Sequence, residues 1–303
     1  MLVALGANAL VAVAKLAGGL ASGSTALLAE AAHSVADTAN QAFLLASIRL
    51  GRRPPSPEHP FGEGRQRFLW TFMAAIGLFL AGAIFAIAYG VVELLAGRKE
   101  EGGFAIAWAT VAIAVLAEGA SWVRAVRQVR SEARDAGEPL LRHIRTTRDP
   151  NVKMVVFEDS AALVGIALAA GGIGLHQLTG QSFWDPTASI LIGVLLVAVA
   201  VWMGRDASDL LIGASAKPKE RETLERVLED HPAVVEVVEL LTIVLGPAAL
   251  LVAARVDLRD DLDAAAIEHA SSELDDALRE AVPDVTEVFL DATPGGASED
   301  EAA

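Results

Sequence analysis

Apolar runs of membrane-crossing length recur along the first two thirds of the chain. Spanning the hydrocarbon core takes roughly 20 apolar residues, and six stretches meet or approach that requirement: about 2 to 20, 24 to 49, 68 to 95, 104 to 124, 154 to 175 and 186 to 204. The third is free of charge from Phe68 to Val92, and the sixth from Pro186 to Gly204. Acids interrupt the second and fifth, which predicts that these two face a protein interior rather than lipid. From Lys217 the pattern changes. A charged helix "PKERETLERVLED" precedes two apolar runs, "AVVEVVELLTIVL" and "AALLVAARVDL", joined at Gly246-Pro247; a helix near 261 to 281 and "VTEVFLDA" follow. This αββαβ order predicts a small two-layer α+β domain with an antiparallel sheet. The ending "PGGASEDEAA" has the composition of a disordered tail. The expected organisation is a transmembrane domain over 1–213, a second domain over 214–293 and an acidic tail over 294–303.

Composition agrees with a membrane protein. Apolar residues make up 53% of the 303 and mean hydropathy is +0.44, above the usual share for soluble domains. The net charge of −15 is unevenly placed: residues 214 to 303 hold 22 acids and 7 bases, while the remainder holds 17 of each. Met1 leads straight into "LVALGANALVAVA" without a basic stretch, so no cleavable leader is expected. Arg52, Arg53, Arg65 and Arg67 follow the second run, and Arg124 through Lys153 supply a basic stretch after the fourth. Positive loops stay inside, so six spans place both termini in the cytoplasm, across a bacterial inner membrane or its equivalent. The arginine run from 124 to 148 is expected near anionic headgroups, and no nucleic-acid partner is expected. With no cysteine, neither disulfides nor thiolate metal sites can form, and any metal ligand is nitrogen or oxygen.

Chemistry concentrates in "AEAAHSVADTANQ", residues 29 to 41, where Glu30, His33, Asp37, Asn40 and Gln41 interrupt an apolar run. His33 and Asp37 are four apart, one helical turn, on a single face. Imidazole and carboxylate both ligate divalent first-row metals. In the fifth run, "MVVFEDSAALVG" places Glu158 and Asp159 at comparable depth. An ionised carboxylate in hydrocarbon costs at least ~2.5 kcal/mol, so several require a shared cation, proton or water. A plainer reading has His33 and Asp37 hydrogen-bonding each other and their neighbours to stabilise the bundle.

The segments "SGSTALLAEAAHSVADTANQ", "RRPPSPEHPFGEGR" and "WDPTASILIGVLL", in that order and spacing, resemble the cation diffusion facilitator family. "EGAS" at 118 to 121 and "RDPNVKMVVFEDSAALVG" are similar to its branch of mitochondrial zinc-transporter-nine proteins. The resemblance implies a six-helix transmembrane bundle followed by a cytoplasmic ferredoxin-like domain, a homodimer, and exchange of Zn²⁺ or a related ion for protons, with no organic cofactor and no enzymatic reaction. It assigns His33, Asp37 and Asp159 as ligands. The fourth family position falls on Val155, which cannot bind metal, leaving Glu158, about 100° round an ideal helix from Asp159, or water to complete the set. An oxygen-richer site shifts preference toward Mn²⁺ or Fe²⁺, and Co²⁺ is also possible. Metal needs His33 neutral and the carboxylates ionised, so metal and protons compete for the same atoms. One rival reading is a metal-binding scaffold without turnover. An intramembrane hydrolase is disfavoured, since no HExxH occurs.

Other polar residues have simpler expectations. Glu118 either relays protons or assists the site from a neighbouring helix, or it pairs with a donor such as Lys15, while Lys15 and Asn8 serve packing or hydrogen bonding. Glu58, His59 and Glu63 form either a second loop site or a turn using Pro60 and Gly62. Asp185, before Pro186, is expected to cap the sixth span. Family members that bind regulatory zinc in the C-terminal domain use positions held here by Val238, Ala254 and Leu290, so His231 and His269 are not expected to form such a cluster, and dimerisation remains that domain's role. Solvated surface is the expectation for His143 and His176.

Overall fold

The computed structural model describes residues 2–51, 53–97, 103–135, 137, 139–146 and 150–294. Outside them lie residues 295–303 of the acidic tail, Arg98 to Glu101 of the loop after the third run, and Arg52 and Arg148 of the basic loops; the side chain of Val155 is likewise outside. Two compact units result: Met1–Leu50 with Gln66–Ser208, and Gly51–Arg65 with Asp209–Ala303.

The first unit is helical: α1 (Leu2–Ser22), α2 (Thr25–Leu50), α3 (Gln66–Met73), a π-helical segment (Ala74–Phe79), α4 (Leu80–Ala96), α5 (Phe104–Asp135), α6 (Leu140–Thr146), α7 (Pro150–Thr179) and α8 (Trp184–Ile212). Among the described residues, four stretches are long and apolar enough to cross a membrane, Gln66–Ala96, Phe104–Asp135, Val156–Thr179 and Trp184–Ile212, with Asn8–Ser22 a shorter apolar helix. α2 has the length but not the hydropathy, because its polar row from Glu30 to Gln41 dilutes it. Small residues set the packing. Ala26, Ala29, Ala74, Ala83, Ala86, Ala188 and Ala200 meet around Phe79, Ile192 and Leu196, and alanine or glycine at a crossing lets backbones approach. A Cβ on Gly193 of α8 would lie 2.9 Å from the Ala83 carbonyl, and one on Gly90 of α4 would lie 2.9 Å from the Pro186 carbonyl. α4 and α8 therefore interlock through reciprocal glycine notches.

α2 packs against α1, α3, α4 and α7, and its start is fixed twice. Ser24 Oγ accepts from Leu27 N at 3.2 Å. The Asp185 carboxylate accepts from Ser24 Oγ at 2.8 Å and from Ala26 N at 3.0 Å. This corrects the expectation for Asp185: it lies inside the first turn of α8, which begins at Trp184, and caps α2 instead of its own helix. A carboxylate aimed at another helix's free N–H groups satisfies them and meets the positive end of that dipole.

In the second unit, α9 (Pro218–Glu229) leads into β1 (Val234–Gly246), β2 (Ala249–Leu258), α10 (Ala264–Ala281) and β3 (Val285–Ala292). Glu220 accepts from Lys217 N at 3.0 Å to close the start of α9, and Asp263 caps α10 through Ala266 N at 2.8 Å. β1 and β2 pair antiparallel from Val234↔Leu258 to Gly246↔Ala249. β3 runs parallel to β2, so the sheet, in order β1-β2-β3, is mixed and not the antiparallel sheet expected. The cause is α10, whose crossover carries the chain back to the end where β2 began. α9 and α10 pack on each other and on β1 and β3, burying Leu224, Leu228, Leu274 and Leu278 over Leu240, Val244, Leu250 and Val252.

Candidate metal centre

Along α2, Glu30, His33, Ser34, Asp37 and Asn40 recur at helical spacing and all are buried, His33 to 1% exposure and Asp37 to 4%. A row with this period stays on one side of the helix, here the side facing neighbouring helices. Glu158 and Asp159 of α7 are buried as well. Glu158 is the one that reaches α2: its Oε2 accepts from Asn40 Nδ2 at 2.7 Å, and it shares a side-chain hydrogen bond with Asp37. Asp159 turns toward α5, where it accepts from the Ser121 hydroxyl.

His33 Nδ1 lies 3.5 Å from Asp37 Oδ1, yet neither His33 nitrogen has a hydrogen-bond partner, nor do Asp37 Oδ1 and Asp159 Oδ2. The imidazole rests on Phe79, ring centroids 5.9 Å apart, at the end of the π segment. Unsatisfied buried polar atoms are costly, and here they are lone-pair donors of the type a first-row divalent ion takes. Among the described residues no group of three or more His, Asp or Glu side chains forms a ready ion cage. His33, Asp37 and Glu158 stand along one line of contacts, and Asp159 occupies the adjacent position on α7. Asn40 as a partner of Glu158 is an addition that the sequence reading lacks, although its place seven residues after His33 puts it on the same row.

A second polar cluster adjoins the first. Lys15 of α1 donates to Glu30 Oε2 at 3.2 Å, Ser34 Oγ at 2.7 Å and Glu118 Oε1 of α5 at 3.0 Å. Of the two expectations for Glu118, the pair with Lys15 is therefore present.

The remaining candidates lie elsewhere. His176, expected on the solvated surface, is buried at the end of α7 with its ring edge-on to Phe104 at 5.2 Å; the helix continues past the predicted span and carries it inward. His143, also expected to be solvated, is half-buried, its Nε2 3.9 Å from Glu132. In the loop, Glu63 pairs with Arg53 at 3.4 Å and stands 4.0 Å from His59. Ser56 and His59 exchange backbone hydrogen bonds, and Gly62 takes φ 77°, the geometry of a turn. His231 and His269 flank Glu273 at 3.6 and 3.4 Å.

A polar row buried in a bundle of apolar helices, ending in unpaired imidazole and carboxylate groups, is the hallmark of a cation-handling membrane protein. Residues 1–212 match the model of the cation efflux transmembrane domain, and the chain belongs to that family. It is 32% identical over 259 residues to the mitochondrial proton-coupled zinc antiporter SLC30A9 of Xenopus laevis, an overlap of 85% of this chain and 46% of that protein. Metal tolerance protein C4 of Arabidopsis thaliana is 31% identical over 241 residues, 80% of this chain and 52% of its own length. For the zinc transporter ZitB of Escherichia coli the figures are 29% over 235 residues, 77% and 69%. The chain thus spans about half the length of its SLC30A9 relatives, and it resembles that branch of the family.

Proposed function

We propose that the chain is a proton-coupled transporter of Zn²⁺ that exports the ion from the cytoplasm, with six spans, both termini cytoplasmic and a homodimeric assembly. The observation that carries this reading is the buried His33–Asp37 pair, whose nitrogens and Oδ1 lack partners, joined across helices to Glu158. His33, Asp37 and Glu158, which reaches α2, are read as the ligands that face one another, and Asp159, turned toward α5, as the ligand position implied by the resemblance that would join them only after turning back. An arriving divalent ion supplies the missing partners and competes with protons for the same nitrogen and oxygen atoms; protons arriving from the other side reverse the exchange. Names of relatives, a proton-coupled zinc antiporter and a zinc transporter, support both the ion and the coupling.

One specific feature favours a broader cargo. A single histidine amid Asp37, Glu158 and Asp159 makes the donor set oxygen-rich, which moves preference toward Mn²⁺ and Fe²⁺. Proteoliposome flux with Zn²⁺, Mn²⁺, Fe²⁺ and Co²⁺, with and without an imposed pH gradient, tests the whole proposal. Zinc uptake is expected to rise when the metal-receiving side is acidic, and Asp37→Ala is expected to abolish it with the protein still folded. Zinc binding at equilibrium without flux would instead identify a metal-binding scaffold.

A further inference from the structure

The zinc-transport reading uses only the His33 end of the buried row on α2. At its other end Lys15 is 1% exposed, and its ammonium spends its three donors on Glu30 at 3.2 Å, Ser34 at 2.7 Å and Glu118 at 3.0 Å. Three oxygens drawn from α2 and α5 thus surround one positive centre. Glu30 retains a further oxygen: Oε1 is buried without a hydrogen-bond partner. It is directed at Gly165 of α7, where a Cβ would fall 2.0 Å from it. Only the bare backbone of Gly165 leaves room for this carboxylate.

Lys15 of α1 joins α2 and α5 through one carboxylate from each and adds the Ser34 hydroxyl of α2. Here two acids and a hydroxyl gather about one base, and Glu30 keeps a spare oxygen. Two buried carboxylates side by side need a cation or a proton between them. If the ammonium were absent, a mobile cation would be drawn into its place, and a shell of oxygens without nitrogen suits hard ions such as Mn²⁺.

We infer that Lys15 is a specificity-determining residue, a tethered cation that permanently fills a second, all-oxygen cation site formed by Glu30, Ser34 and Glu118, one turn along α2 from His33. With that site filled, Glu30 and Glu118 are withheld from the cargo, and the row accepts one free divalent ion at a time. The meaning of this inference rests on the transport reading; its test does not.

The test counts Mn²⁺ bound to the purified full-length chain by electron paramagnetic resonance. Lys15→Ala is expected to hold one Mn²⁺ more than the unsubstituted protein. Adding Glu118→Gln removes that extra ion, and Lys15→Arg, which keeps the charge, shows no gain. If Lys15→Ala does not fold in chelator-treated buffer, millimolar Mn²⁺ must restore a monodisperse elution profile. A folded Lys15→Ala protein with an unchanged Mn²⁺ count, or an unfolded one that Mn²⁺ does not rescue, overturns the inference. No flux is read in this experiment, so its failure leaves zinc transport standing, and a failed flux assay leaves the Mn²⁺ count to be judged by itself.

Discussion

Asp185 shows how one side chain can organise a helix it does not belong to. Its carboxylate holds Ser24 Oγ and Ala26 N at the start of α2, the helix that carries His33 and Asp37. Loss of a helix cap costs about 1–2 kcal/mol, so Asp185→Ala is expected to lower the thermal midpoint of the detergent-purified protein by that equivalent, measured by a fluorescence melt. Ser24→Ala, which removes the Leu27 cap and one Asp185 bond but leaves the Ala26 bond in place, is expected to cost a similar amount. At this scale the sequence announces the chemistry but not the pairings. His33 and Asp37 can be matched because four residues make one turn. Which of Glu158 and Asp159 meets α2 depends on the rotation of α7 about its axis, which no spacing within α7 states. Likewise the cap on α2 lies 159 positions away in sequence, beyond any local signal.

Between elements, glycine decides how closely helices can approach. Gly193 of α8 sits where a Cβ would lie 2.5 Å from Ile87 Cγ1 and 2.9 Å from the Ala83 carbonyl, so Gly193→Ala must push α4 and α8 apart. Overpacking of this kind costs about 1–3 kcal/mol, and a melt of the variant is expected to show it. Gly119→Ala on α5, where a Cβ meets nothing within 4 Å, is the matched control and is expected to leave the midpoint unchanged. The helices themselves are readable from apolar runs, although α5 continues to Asp135 and α8 to Ile212, well past the apolar stretches that announce them, because a helix does not stop where hydrocarbon does. The αββαβ order is readable too. The parallel sense of β3 escapes a reading of strand alternation alone, because it is set by the helical crossover between β2 and β3, which returns the chain in the same direction.

For the molecule as a whole, the second unit leaves an apolar row exposed on its sheet. Leu241, Ala253 and Phe289 lie side by side across the three strands, with Leu241 56% and Phe289 52% exposed. Contiguous exposed apolar surface on a sheet marks a contact with a partner, which accords with the proposed homodimer. Sedimentation in detergent is expected to give a dimer for the full chain, and Leu241→Asp combined with Phe289→Asp is expected to shift it toward monomer. Charge asymmetry between the halves and the change of pattern at Lys217 make the two-part organisation legible. What the pattern does not reveal is that Gly51–Arg65, far away in the chain, groups with the C-terminal residues, its Phe61 standing edge-on to Phe289 at 6.4 Å.

Ala74 to Phe79 form a wider turn than their neighbours, holding one residue beyond what an α-helical ladder admits. Shortening the chain there by a single amino acid, for instance by deleting Gly77, would let the ladder close regularly and remove the wide turn at whose end Phe79 meets His33. The tilted contact between Phe79 and the His33 ring, centroids 5.9 Å apart, would then change, while Trp70 and the residues before it kept their positions. Zinc affinity in the deletion mutant, read by calorimetry against the parent, is expected to fall even though no candidate ligand has been touched.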